Sequence, residues 1–225
     1  MKNVLFITGL LLICVLHING ASAQSTFNAA SVGHTAKAFS QQRLEAQRSA
    51  MWILGAWAGV SIASGIGLAL QNNTVPLRYA GYQNIGWGAV NAALAGVALV
   101  GIANQLAALD AMSAGKESMF LLKELGEEQT FSKVLLVNVG LDVGYMLVGS
   151  ALMYGGRNGL NRGDEFFGSG LGVLVQGAFL LAFDIWQVVL SSRRVEAVEQ
   201  TLYPLVSLLP AAPMSQLGLT MRVSF

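Results

Sequence analysis

The sequence predicts an all-α protein: a polytopic transmembrane four-helix bundle with helical extensions protruding on one face and a short strand-like or irregular C-terminal tail. Only 11% of the 225 residues are charged and 54% are hydrophobic, whereas soluble domains carry about a quarter charged residues. The apolar residues gather into four blocks of about 20 residues, the length that a helix needs to cross a bilayer. Small residues recur four apart, at Gly55 and Gly59 and at Gly168 and Gly172, a spacing that lets helices approach closely in lipid.

The N-terminal segment has the pattern of a secretory signal peptide. Residues 1–23 combine a basic second residue, an apolar core over 4–16 and an Ala-Ser-Ala cleavage site at 21–23. An uncleaved anchor helix is the alternative. Residues 24–49 form a polar N-terminal extension, and its part 36–49 contains good helix formers and no proline. We therefore expect that part to continue directly into the first span as a helix.

The bundle is predicted over residues 50–203. Two short polar turns, at 71–77 and 157–165, join the spans in pairs, so that each pair forms a hairpin. The connection at 105–133 should hold two helical extensions rather than a structureless loop, and 191–202 should extend the last span. All of these extensions then lie on one side of the membrane, here called the stalk side. The four spans are about 50–70, 82–103, 134–156 and 166–190.

The two predicted hairpins resemble each other weakly. Residues 62–73 align with residues 146–157, which matches Gly65 with Gly149. A duplication of this kind would relate two units of the same orientation by an axis along the membrane normal. Chance similarity is the alternative, because small apolar residues inflate any such comparison.

The C-terminal residues differ in character from the spans. Residues 204–225 form a Pro-containing tail, in which Pro204, Pro210 and Pro213 are expected to prevent a continuous helix. Residues 217–225 alternate apolar and polar side chains, which is the period of a strand. Because one strand cannot close a barrel, we favour a docked or disordered tail over a piece of an outer-membrane barrel.

Composition excludes several classes of function. A net charge of +1 gives no basic field for nucleic acid. The only cysteine, Cys14, and one of two histidines, His17, lie in the predicted signal peptide, which leaves His34. Such a set cannot form the usual zinc site or a haem site with paired histidines, so we predict no cofactor and no metal. Neither a P-loop nor a Ser-His-Asp set is present, and we predict that the protein is not an enzyme.

Acidic and aromatic residues outside the candidate site have ordinary interpretations. Trp52 and Trp57 lie toward one end of the first span, where interfacial aromatic residues are common. The acids of the long connection are interpreted as a solvated helix face, with divalent-cation binding as the alternative. These acids are Glu117, Glu124, Glu127 and Glu128.

Two carboxylates within the spans, Asp142 and Asp184, are the sharpest functional signal. A charged group at membrane depth costs roughly 2.5 to 3.5 kcal/mol on insertion scales, so each acid should face protein or water. The rise of the helix places both about 10 to 15 Å from the stalk-side boundary. No Lys, Arg or His shares the spans with them, so we expect at least one to be protonated at neutral pH.

The candidate intramembrane polar site combines the two acids and two amides expected in the same layer, Asn138 and Gln187, with a second layer expected deeper in the spans, which holds Asn91, Tyr145 and Gln176. A neutral acid bonded to an amide would hold helices together, and we favour this structural role because no substrate-binding motif accompanies the acids. The alternative is a proton-binding site in a carrier. The members of the candidate site are Asp142, Asp184, Asn138, Asn91, Gln176, Tyr145 and Gln187.

One run in the second span is moderately specific. Residues 82–91 read Tyr-x-Asn-x-Gly-Trp-Gly-Ala-Val-Asn. With the predicted signal peptide and four spans, this run resembles an uncharacterised family of small four-span bacterial membrane proteins, and the resemblance covers mainly the four-span region. It implies the architecture and a bacterial envelope setting, and it implies no catalytic residue.

The function expected from the sequence is that of a small integral membrane protein of the bacterial envelope, a non-enzymatic scaffold or interaction protein. Its partners would be the lipid bilayer and either a second copy of the chain or another membrane protein, with no nucleic acid. The alternative is a proton-coupled small transporter or channel that uses Asp142 and Asp184.

The orientation in the membrane is predicted from conflicting signals. A cleaved signal peptide would make this a multi-pass protein of the bacterial inner membrane with the stalk side periplasmic. The Lys and Arg residues oppose this, with three on the predicted inside and nine on the outside. We favour the signal peptide, because the charge rule weakens for segments that a signal peptide leads across.

Overall fold

The computed structural model describes residues 36–71, 74–110 and 117–207. These residues form four helices and no strand, which confirms the all-α fold class. The predicted signal peptide over 1–23, residues 24–35 and the tail from 208 onward lie outside the described residues. The helices are α1 (Ala36–Leu70), α2 (Val75–Asp110), α3 (Glu117–Arg157) and α4 (Gly163–Ser207).

All four helices are long enough and apolar enough to cross a membrane. They contain 35 to 45 residues each, which is about 50 to 70 Å at the rise of an α-helix. This exceeds the roughly 30 Å of a hydrocarbon core. Because successive helices alternate in direction, the polar helical segments beyond the spans all lie on the same side of the bundle, as the predicted stalk requires. These segments are 36–49, 105–110, 117–133 and 191–207.

The helix ends differ from the prediction at three places. The first turn is shorter than 71–77, because α2 begins at Val75 and places Pro76 in its first turn, where a missing N–H is tolerated. Likewise, α4 begins at Gly163. It continues to Ser207, so Pro204 removes one backbone hydrogen bond without ending the helix.

The two helical hairpins lie side by side. Helix α1 packs along α2, and α3 packs along α4, while the hairpins meet chiefly through α2 and α4 and less extensively through α1 and α3. The order around the bundle is therefore α1, α2, α4, α3. A twofold axis along the membrane normal would instead put α1 beside α4, so the expected symmetry is wrong.

Each hairpin contains a pair of glycines at which its two helices approach closely. A Cβ atom on Gly65 would lie 2.8 Å from the carbonyl oxygen of Gly81, and one on Gly149 would lie 2.8 Å from that of Gly170. The aligned glycines Gly65 and Gly149 thus have equivalent roles, whatever their origin. The expectation for Gly59 is wrong, since a Cβ there would meet nothing within 4 Å.

Glycines also bring the two hairpins together. A Cβ atom on Gly168 would collide with the backbone of Pro76, and one on Gly172 would lie 2.5 Å from the Cβ of Gln83. Both contacts join α4 to α2, which is the main interface between the hairpins. The close approach predicted from the spacing of Gly168 and Gly172 is therefore confirmed.

The apolar core lies between the diagonal helices α1 and α4. The Trp57 ring stacks on Phe179 with the centroids 4.0 Å apart, and Phe183 continues the stack. Trp57 is only 8% exposed, whereas Trp52 is 62% exposed. The interpretation of Trp57 as an interfacial residue is wrong, because it lies one and a half turns further along the helix and faces the opposite helix.

Candidate functional site

The two predicted carboxylates meet in the interior of the second hairpin. Asp142 on α3 is 3% exposed and Asp184 on α4 is 7% exposed. Side chains lean toward the N-terminus of their helix, so in this antiparallel pair the two carboxyls lean toward each other. The two carboxyls are close enough to interact, and the Asn138 side chain lies close to the Asp184 carboxyl. The structure therefore brings Asp142, Asp184 and Asn138 together in one layer.

Asn91 reaches the same depth from the first hairpin. The Trp87 ring packs edge-on against the Tyr145 ring, with the centroids 4.9 Å apart. Asn91 follows Trp87 by one turn toward the stalk side, and Asp142 precedes Tyr145 by three residues in the same direction. Because Asn91 is 2% exposed, its amide faces the bundle interior at the level of the carboxyl pair.

Two atoms of this layer have no hydrogen-bond partner. They are Nδ2 of Asn91, a donor, and Oδ2 of Asp142, an acceptor, and both are buried. Buried polar side-chain atoms are satisfied in the large majority of cases, so each exception needs an explanation. Here a buried donor on the first hairpin and a buried acceptor on the second lack partners at about the same depth of the bundle.

Gln176 forms a separate junction closer to the turns. Its Oε1 accepts a hydrogen bond from Nε1 of Trp57 at 2.8 Å, and its Nε2 donates to Oγ of Ser61 at 3.0 Å and Oδ1 of Asn84 at 3.2 Å. The amide is 1% exposed and links α4 to both α1 and α2. This arrangement accounts for Gln176 as a structural link.

Gln187, the remaining residue of the predicted polar site, is buried near the stalk side.

Two glutamates of the stalk are buried, and the sequence interpretation missed them. Glu124 is 3% exposed and Glu128 is 0% exposed, so a solvated face describes only Glu127 among the acids whose side chains are described. Glu124 accepts hydrogen bonds from Ser40 and Arg43 of α1. The expected solvation of Glu124 and Glu128 is wrong because this face of α3 packs between α1 and α4.

Glu128 makes the matching connection to α4. Its carboxylate accepts from Oγ of Ser191 at 2.7 Å and from Nε of Arg194 at 2.6 Å. Glu128 precedes Leu135 and Asp142 by one and two heptads, so it lies on the same helical face as the buried acid. This spacing was the signal in the sequence that could have identified it.

The described residues contain no group of three or more His, Cys, Asp or Glu side chains that could hold a metal ion. Glu124 and Glu128, which the alternative interpretation had offered as divalent-cation ligands, are each engaged by an arginine. Glu124 and Glu128 therefore hold helices together.

Comparison with known proteins identifies a family and no further relative. A model of DUF6992, described as a family of unknown function, matches residues 53–185. No curated protein and no solved structure matches the chain. The match runs from α1 to α4 and includes both acids, Asn91 and Gln176, and it confirms the expected membership of an uncharacterised family. The chain belongs to DUF6992, a family of unknown function.

Proposed function

We propose that this chain is a multi-pass protein of the bacterial envelope that acts by associating with a second copy of itself through one face of α3, and not by catalysis. The observation that carries the proposal is the pair Gly140 and Gly144. These glycines are four residues apart, and a Cβ atom on either would meet nothing within 4 Å. Their neighbours on this face, Val137, Leu141 and Val148, are exposed.

No contact within the chain explains these two glycines, which lower the stability of the helix. Glycine in a helix interior is about 1 kcal/mol less favourable than alanine. At Gly149, on the same helix, that cost is offset by the close approach of α4. Gly140 and Gly144 have no such neighbour, and close packing against another helix is what small residues at this spacing provide in lipid.

The interior polar groups support association over catalysis. Gln176, Glu124 and Glu128 are each bonded to side chains of neighbouring helices, so assembly of the bundle accounts for them. The hydroxyls of Ser40 and Ser191 donate to Glu124 and Glu128, and each of these buried carboxylates also accepts from an arginine, so helix packing accounts for these contacts as well. We assign the stalk side to the periplasm on the strength of the predicted signal peptide.

The test is the oligomeric state of the purified protein in lipid nanodiscs and in detergent, measured by sedimentation. We expect a dimer for the wild type and a monomer for the double variant Gly140→Ile and Gly144→Ile. The matched control is Gly96→Ile on α2, where a Cβ atom would also meet nothing within 4 Å, and it should remain a dimer. A monomeric wild type would overturn the proposal, and so would equal loss of the dimer in the control.

A proton-coupled transporter is the second candidate, and the facing carboxyls of Asp142 and Asp184 favour it. Proteoliposomes loaded with a pH-sensitive dye would show proton flux that Asp142→Asn and Asp184→Asn remove. Flux that is absent in the wild type from pH 5 to pH 9 would exclude this candidate.

A further inference from the structure

We propose that the association of two copies continues from the membrane into the stalk along one heptad seam of α3, in which Lys123 of each copy forms an ion pair with Glu127 of the other. This inference rests on the association through α3 proposed above, and it adds the direction of the two helices and the charged residues that select the partner. The seam contains the positions of α3 that are spaced alternately four and three residues apart: Lys123, Glu127, Thr130, Val134, Val137, Leu141, Gly144 and Val148.

The seam lies on the outer face of α3 in the stalk as well as in the span. The buried Glu124 and Glu128 face α1 and α4. Lys123, Glu127 and Thr130 lie on the other side of the helix, and all three are exposed. From its first to its last position the seam is about 38 Å long. Its large apolar residues in the span are exposed too: Val134, Val137, Leu141 and Val148.

The spacing of the seam determines how two such helices cross. A repeat of 3.5 residues keeps one stripe in contact with a neighbouring helix when the two helices cross at about 20° in a left-handed supercoil. Two copies inserted in one membrane have the same orientation, so a twofold axis along the membrane normal makes their α3 helices parallel. The contact therefore continues beyond the membrane surface, and the stalk parts of the two α3 helices lie side by side.

Gly126 supports a close approach in the stalk. It flanks the seam two heptads before Gly140. Both glycines are exposed, and a Cβ atom on either would meet nothing within 4 Å. Glycine destabilises a helix interior relative to alanine, and packing in lipid does not explain a glycine outside the span. A second helix that approaches this face explains it.

Lys123 and Glu127 make the stalk part of the seam complementary to itself. Among the described residues, none of the ion pairs includes either side chain. In the parallel pair the levels of Lys123 and Glu127 are about 6 Å apart along the helix. Because side chains lean toward the N-terminus of their helix, each Glu127 carboxylate leans toward the Lys123 ammonium of the other copy. The twofold axis forms this pair twice, so the charges favour a second copy over lipid or an unrelated helix.

The experiment measures dimerisation of full-length protein in detergent at low salt, by energy transfer between copies labelled with a donor or an acceptor dye. Lys123→Glu and Glu127→Lys each place only like charges in the stalk part of the seam. We expect each variant alone to dimerise roughly tenfold more weakly than the wild type. A mixture of the two variants should form mixed dimers about as tightly as the wild type, because opposite charges again face each other. The matched control is Arg193→Glu, an exposed stalk residue of α4, which should leave dimerisation unchanged.

The outcomes separate this inference from the association itself. A monomeric wild type would overturn both. A wild-type dimer that neither variant weakens would overturn the charged pair alone, and so would a mixture that dimerises no more tightly than either variant by itself. Equal weakening by Arg193→Glu would also overturn it, because the effect would then reflect the charge of the stalk in general.

A second measurement tests the stalk contact without any change of charge. In a Cys14→Ser background, Thr130→Cys should form a disulfide-linked dimer in native membranes. Ala107→Cys, an exposed stalk position on α2, should not. A lack of cross-linking at Thr130 in membranes where Val148→Cys does cross-link would overturn the extension of the seam into the stalk and leave the contact within the membrane intact.

Discussion

Glu128→Ala should destabilise the bundle strongly, because it removes one partner of a buried ion pair. The Glu128 carboxylate is 0% exposed and the Arg194 side chain 12% exposed, with Nε and Oε1 2.6 Å apart. Removal of one member of such a pair leaves the other charge without compensation and costs about 3 to 5 kcal/mol. Nη2 of Arg194 already lacks a hydrogen-bond partner, so no second acceptor compensates the guanidinium charge in the variant.

The assay is thermal unfolding in detergent followed by circular dichroism. For a chain of this length, about 3 to 5 kcal/mol corresponds to a fall in Tm of roughly 6 to 20 °C. The matched control is Glu45→Ala. Glu45 pairs with Arg48 at 3.4 Å, and the two side chains are about half exposed, at 48% and 51%. Such a surface pair contributes about 0 to 1 kcal/mol, so the control should lower Tm by no more than a few degrees.

A double substitution identifies the cause. Glu128→Leu with Arg194→Met removes both charges and replaces them with apolar groups, which is often neutral. We therefore expect most of the lost stability to return. A Glu128→Ala variant as stable as Glu45→Ala would refute the buried position of Glu128, and failure of the double variant to recover would refute the unpaired charge as the cause.

Three further predictions concern packing and exposure. Gly149→Val should lower the free energy of unfolding by roughly 1 to 3 kcal/mol through overpacking, because its Cβ would lie 2.8 Å from backbone atoms of α4. Gly96→Val should cause no overpacking, since a Cβ there meets nothing within 4 Å, and thermal unfolding compares the two variants. Gln176→Leu should cost about 1 to 3 kcal/mol by leaving Nε1 of Trp57 buried without an acceptor, measured by the same assay. Trp52→Phe should remove more of the fluorescence quenching by brominated lipid than Trp57→Phe, because Trp52 is 62% exposed and Trp57 8%; equal losses would contradict the placement of Trp57.

The fold was predictable because the strongest signals were local. Four apolar blocks separated by two short turns and one long connection leave few arrangements other than two helical hairpins. The meeting of Asp142 and Asp184 at one level of the second hairpin also followed from counting the helix rise, since neighbours in an antiparallel hairpin share a common boundary. The helix rise could not predict which helices pack together between the two hairpins, because the α2–α4 interface depends on the contacts of Gly168 with Pro76 and of Gly172 with Gln83.

The stalk contacts were not predictable from composition. Glu124 and Glu128 look like solvated residues when the acids of the connection are counted together, because composition does not distinguish the faces of a helix. The position of Glu128 emerges only when the heptad spacing from Asp142 is followed back beyond the apolar block, and Glu124 lies one turn before Glu128 on the same face. Trp57 was misplaced for a similar reason, since its distance from the span end indicates depth but not the direction that the side chain faces.

The association of two copies through α3 is tested most directly by disulfide cross-linking in native membranes. A Cys14→Ser background removes the only native thiol, and single cysteines are then placed at Val148 on α3 or at Val97 on α2, both exposed. We predict a cross-linked dimer for Val148→Cys and none for Val97→Cys. Equal cross-linking at both positions would contradict this prediction, and so would a lack of cross-linking both at Val148 and at Val137, which lies about three turns away on the same face of α3.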